Sequence, residues 1–144
     1  MNDIKQLSQM KIGTFDCAYR KVIDRFIRNG YKIINVMPIN NNRYIIIFTD
    51  KKNILVAYKR EPFYNFSILF RKEGLKGVGE SINAEDIDKA LLYNVEEIYV
   101  TYPNGIVYNI GLEEFINQSK RWINKEGKDI YSISIHELKR AFEL

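Results

Sequence analysis

The sequence predicts an α/β (α+β) domain in which helices flank a mixed central β-sheet. Three observations predict it. Apolar residues recur at helical spacing between Phe15 and Asn29. Two short apolar runs, RYIIIFT at 43–49 and ILVAYK at 54–59, read as strands joined by a polar turn. Farther on, a helical pattern at 84–94 leads into a second hairpin pattern at 96–110. The chain of 144 residues is expected to form one domain, and at 46% apolar and 13% aromatic residues it can bury a single core.

Each element has its own signal. Residues 1–14 are a polar lead-in. In the first helix Phe15, Ala18, Tyr19, Val22, Ile23, Phe26 and Ile27 share one face, with Thr14 as N-cap and Gly30 as the C-terminal stop. Tyr31 to Met37 reads as a strand closed by Pro38 and the Asn40-Asn41-Asn42 run. The strand at 43–49 is apolar almost without a break, which predicts burial on both faces. Asp50 to Asn53 turns the chain into 54–59, and FSILF at 66–70 predicts a further strand. The glycine-rich KEGLKGVGES, 72–81, reads as a mobile connection; it lacks the pattern of a phosphate-binding loop. Asn83 is placed to cap the helix at 84–94, whose first turn carries acids where the helix dipole favours them. EEIYVTY and IVYNI form the second hairpin across Pro103-Asn104-Gly105. A helix over 112–124 follows, with Trp122 as its core anchor, then a strand at Ile130–Ile135. A last helix is introduced by Ser134-Ile-His-Glu137, which has the spacing of a capping box.

Composition narrows the function classes. Cys17 is the only cysteine, so an internal disulfide and a cysteine-rich zinc site are excluded, and a buried structural thiol is expected. The single histidine, His136, has no partner at ligand spacing and is read as structural. No apolar run approaches the ~20 residues of a membrane span. The N-terminal residues lack an apolar signal region, so a cytoplasmic protein is expected. The net charge of +4, from 22 basic and 18 acidic residues, permits nucleic-acid binding without demanding it.

The order of elements resembles the PD-(D/E)xK nuclease superfamily, a restriction-endonuclease-like fold, and within it is most similar to archaeal Holliday-junction resolvases. The residues that carry the resemblance are VIDRFIRNGYKI at 22–33, the hairpin YIIIFTDKKNILVAYK at 44–59 closing on Lys59, and then FSILF, AEDIDKALLYN and EEIYVTYPNGIVYNI. It covers residues 15–116 as a nuclease-like core and leaves 117–144 as a C-terminal helical extension with a short strand. Only the hairpin and its lysine are motif-like. The resemblance implies a site in which carboxylates hold Mg²⁺ against a phosphate while the lysine orients or deprotonates the attacking water. Laid on the hairpin by length, the metal-binding aspartate falls at Tyr44, the glutamate of Glu-x-Lys at Ala57, and the helix acid near Tyr19. The lysine is kept and three carboxylates are not.

Three functions stay open on this basis. The first is a nuclease-fold protein that no longer cuts and binds DNA, RNA or a protein partner. Lys51, Lys52, Lys59, Arg60, Arg71 and Lys72, interleaved with Tyr58, Phe63 and Tyr64, are then the candidate nucleic-acid contacts, because cations neutralise phosphates and aromatic rings stack on bases. The second is a Mg²⁺-dependent endonuclease with relocated acids, using Lys59 with Asp50, Glu61 and Asp16; Glu80 is a further acid within reach of the loop. The third is an oligomeric interaction module of viral or plasmid origin. A homodimer through the strands EEIYVTY and IVYNI is expected from the resemblance, as is an archaeal or viral source.

Overall fold

The computed structural model describes residues 17–58, 79–102, 105–134 and 137–144, with side chains omitted at 17, 18, 79, 80 and 134. The order is helix α1 (Cys17–Arg28), strands β1 (Ile33–Ile39), β2 (Tyr44–Thr49), β3 (Asn53–Tyr58) and β4 (Gly79–Asn83), helix α2 (Ala84–Leu92), strands β5 (Val95–Thr101) and β6 (Ile106–Gly111), helix α3 (Leu112–Gln118), and strands β7 (Lys120–Ile123), β8 (Asp129–Ser134) and β9 (Lys139–Glu143). A six-stranded mixed sheet has the order β1-β2-β3-β5-β6-β9, and a three-stranded sheet the order β4-β8-β7. β3 and β5 are parallel; every other pairing is antiparallel. This is the α+β architecture, with a mixed sheet flanked by helices, that the sequence predicts.

The large sheet is covered on both faces, which explains its apolar central strands. Strand side chains alternate between faces. Ile45, Ile47, Ile54, Val56 and Tyr99 pack against Tyr19, Val22, Ile23 and Phe26 of α1. Ile46, Leu55, Ala57, Ile98 and Val100 pack on the other face against Ile87 and Ala90 of α2, Phe115 of α3, and Ile82 and Ile133 of the small sheet. β2 and β3 lie between these layers, so both of their faces demand apolar residues.

The turns that aim these elements follow from local chemistry. Gly30 has φ 92° and ends α1: its N–H donates to the Ile27 carbonyl at 3.0 Å, and the Tyr31 N–H donates to the Phe26 carbonyl at 3.0 Å. This is a Schellman closure, completed by the edge-to-face contact of Phe26 with Tyr31 at 5.2 Å. Asn40, Asn41 and Asn42 all take left-handed φ values, 51°, 54° and 67°, which asparagine tolerates better than other side-chain-bearing residues. β1 runs on through Pro38; it is an edge strand, where a missing N–H costs no ladder bond.

Several expectations are corrected. The helix predicted over 112–124 stops at Gln118, and Lys120–Ile123 forms the edge strand β7. Trp122 is therefore no helical core anchor: it is 48% exposed and donates its indole N–H to Ser132 Oγ at 2.7 Å. In place of the last helix, Lys139–Glu143 form strand β9, paired with β6. Thus 117–144 is mainly strand, not a helical extension. The end of the glycine-rich segment is strand β4, in which Glu80 stands opposite Ile133. Asn83 occupies the N-cap position of α2 with extended backbone but makes no side-chain cap bond. β5 and β6 are both interior strands of the large sheet, so neither offers a free edge for pairing with a second copy. The strand expected at 66–70, the loop at 72–78, the lead-in at 1–14 and His136 lie outside the described residues.

Candidate functional site

The β2–β3 hairpin places Tyr44 directly opposite Ala57. These are the positions at which the nuclease resemblance expects the aspartate and the glutamate. Their surroundings are apolar. Tyr44 is 5% and Ala57 3% exposed, and both belong to the cluster with Ile46, Leu55, Ile82 and Ile87. Tyr44 points its hydroxyl to the Ser81 carbonyl at 3.4 Å. The third position, Tyr19, is also buried and donates to the Arg43 carbonyl at 2.6 Å. Mg²⁺ requires a cage of oxygen ligands in near-octahedral order. An alanine methyl and a phenol packed among isoleucines do not supply one, so these positions do not fit the ion that the resemblance implies.

The relocated acids are distributed differently. Asp50 is exposed at the turn end of the hairpin. Its Oδ1 accepts the Lys32 backbone N–H at 2.9 Å, and its own N–H donates to the Lys32 carbonyl at 3.1 Å. It ties the start of β1 to the end of β2. β3 then carries the chain about 20 Å away, at ~3.3 Å per residue, before it reaches Tyr58, the residue preceding Lys59. Asp50 and the end of β3 thus stand at opposite ends of the hairpin. Asp16, Lys59 and Glu61 lie outside the described residues. Among the described residues no three His, Cys, Asp or Glu side chains gather as a metal site.

Of the basic candidates, Arg60, Arg71 and Lys72 likewise lie outside the described residues. Lys51 and Lys52 sit at the turn end, beside the C-terminus of α1. Lys51 is exposed, with its ammonium 5.0 Å from the Tyr31 ring centre, a cation–π distance. Lys52 is half-buried and pairs with Glu97 of β5 at 2.8 Å; Glu97 also accepts the Tyr99 hydroxyl at 2.7 Å. Burial alone would lower the Lys52 pKa, but the bond and charge of Glu97 outweigh it and raise the ammonium above its ordinary value. Burial would likewise raise Glu97, yet the bonds from Lys52 and Tyr99 hold it below the usual carboxylate range. Tyr99 is pushed up by burial and by the Glu97 carboxylate beside it. Lys52 is therefore engaged within the fold, whereas Lys51 faces outward with Arg28 and Lys32.

One acid escapes a pattern search. Asp86 reads as an ordinary first-turn helix acid, yet it is 2% exposed and accepts the Asn40 side-chain N–H at 2.8 Å. Burial raises its pKa, and the Asn40 bond offsets part of that rise. The pair pins the left-handed Asn40–Asn42 turn to α2, next to Tyr44. No sequence signal marks it, because the partners are 46 residues apart. Among the described residues no helix is long and apolar enough to cross a membrane. In comparisons with known proteins, the chain matches no protein-family model and no curated protein.

Proposed function

We propose that this protein is a non-cutting member of the PD-(D/E)xK nuclease fold that binds nucleic acid. The observation that carries the reading is the Tyr44–Ala57 pair. It stands cross-strand at the two positions where the ion cage of such a nuclease is expected, and it is sealed by isoleucines. Further support comes from the order of helix, antiparallel hairpin, crossover helix and parallel strand through α1, β2–β3, α2 and β5. The excess of basic residues and the outward Lys51 favour a polyanionic partner over an acidic or apolar one.

The test is equilibrium binding of the whole chain to labelled duplex, junction and single-stranded DNA and RNA over a range of salt. The expected result is affinity for at least one of these that falls linearly in log–log form as salt rises. Absence of binding to all of them at about 50 mM salt, where phosphate contacts are strongest, overturns the reading.

A further inference from the structure

We infer that the nucleic acid lies along the outer face of α1, gripped through its phosphate backbone without base readout. This rests on the nucleic-acid reading above and adds where and how the polymer is held. Three layers divide the charge of the molecule unequally. α1, the one helix among the described residues on its face of the large sheet, carries Arg20, Lys21, Arg25 and Arg28 against Asp24. On the opposite face α2 and α3 carry Glu85, Asp88, Glu113 and Glu114 against Lys89, beside the β7–β8 hairpin, which carries Lys120, Arg121, Lys125 and Lys128 against Glu126 and Asp129. A polyanion is attracted to α1 and repelled by the acidic turns of α2 and α3.

The geometry of α1 sharpens this. At 100° per residue, Arg20, Lys21, Asp24 and Arg28 share one outward stripe, and all four are exposed. Arg25, at the margin, is engaged elsewhere: its guanidinium donates to the Glu143 carbonyl at 2.9 Å and stands over the Phe142 ring. Past the helix end, exposed Lys32 and Lys51 extend the stripe around Tyr31. Asp24 lies within this band and Asp50 beside it, and Asp50 already accepts the Lys32 backbone N–H. The 12-residue helix gives the band a length of about 18 Å, at 1.5 Å per residue, within which a duplex presents roughly ten phosphates.

Chemistry separates a nucleic acid from other anionic partners. Tyr19, Val22, Ile23 and Phe26, the apolar side of α1, are buried on the sheet, and none of the exposed large apolar side chains among the described residues lies on α1. A helix without an outward apolar side cannot insert into a lipid interface. It also offers no aromatic or aliphatic anchor for a protein partner. What remains is recognition by charge along a line, which suits a phosphate backbone.

The test uses the triple variant Arg20→Gln, Lys21→Gln, Arg28→Gln, all exposed helix positions, with melting temperature as the check on folding. A short labelled duplex should bind the variant about tenfold or more weakly at ~50 mM salt. The slope of log affinity on log salt should fall by roughly 0.9 per lost contact. The control Lys125→Gln, Lys128→Gln in the exposed β7–β8 turn, which lowers net charge away from α1, should leave both values near wild type. If wild type binds and the triple variant binds equally well, the α1 site is wrong while the nucleic-acid reading stands. If the control loses as much as the triple variant, net charge and not α1 holds the polymer, and the site is again wrong. If wild type binds phosphatidylserine vesicles and no nucleic acid, both fall.

Discussion

At the residue scale, the fate of the site turns on Tyr44 and Ala57. They face each other across the hairpin, because register in a tight hairpin follows from the turn. Nothing in the sequence reveals how they are enclosed, since the covering residues Ile82 and Ile87 come from a distant segment. If that enclosure is as tight as the packing indicates, Ala57→Glu buries a carboxylate with no partner. The variant should lose roughly 3 kcal/mol or more, read by denaturant unfolding. An open metal cleft would accept it with little change. Glu97 allows a second prediction, on pH. Its folded pKa lies below its unfolded value, so its stabilising contribution is present above the ordinary carboxylate range and is lost as pH falls through the folded value. Glu97→Gln should cost about 1 kcal/mol at neutral pH, and its stability should fall less than that of wild type on acidification. Asp86 has the opposite sign: its folded pKa is raised, so stability declines as pH climbs from the unfolded towards the folded value.

At the element scale, the legible parts are those with local signals. α1 is a clean amphipathic helix with a glycine stop, and β2 and β3 are apolar runs bounded by polar turns. The errors gather after Gln118. KRWI and KRAFE carry polar residues in patterns that do not distinguish helix from exposed edge strand; KRWI pairs with Asp129–Ser132 across a short polar turn, and the partner of KRAFE, Ile106–Asn109, lies outside any local window. Tertiary pairing decides them. Trp122 discriminates between the two accounts. On an exposed edge strand, Trp122→Ala should cost only about 1 kcal/mol, the indole bond to Ser132 and partial burial together. As a helical anchor in the core it would cost about 3–5 kcal/mol, and thermal unfolding separates these values.

At the scale of the whole molecule, two apolar layers enclose one sheet, and the helices on its two faces differ in charge: α1 is basic, α2 and α3 acidic. The net charge of +4 understates this division, because it averages over faces that only the fold separates. It also splits the basic candidates, since the Lys51–Lys52 end of the hairpin is about 20 Å from Tyr58, by the rise of a strand. We propose that this scaffold grips a polyanion without hydrolysing it. The most direct measurement is incubation of the whole chain with end-labelled duplex, junction and single strands in Mg²⁺ and in Mn²⁺, resolving products and complexes together. Salt-sensitive complexes and intact strands are expected. Metal-dependent cleavage abolished by Lys59→Ala would contradict the proposal.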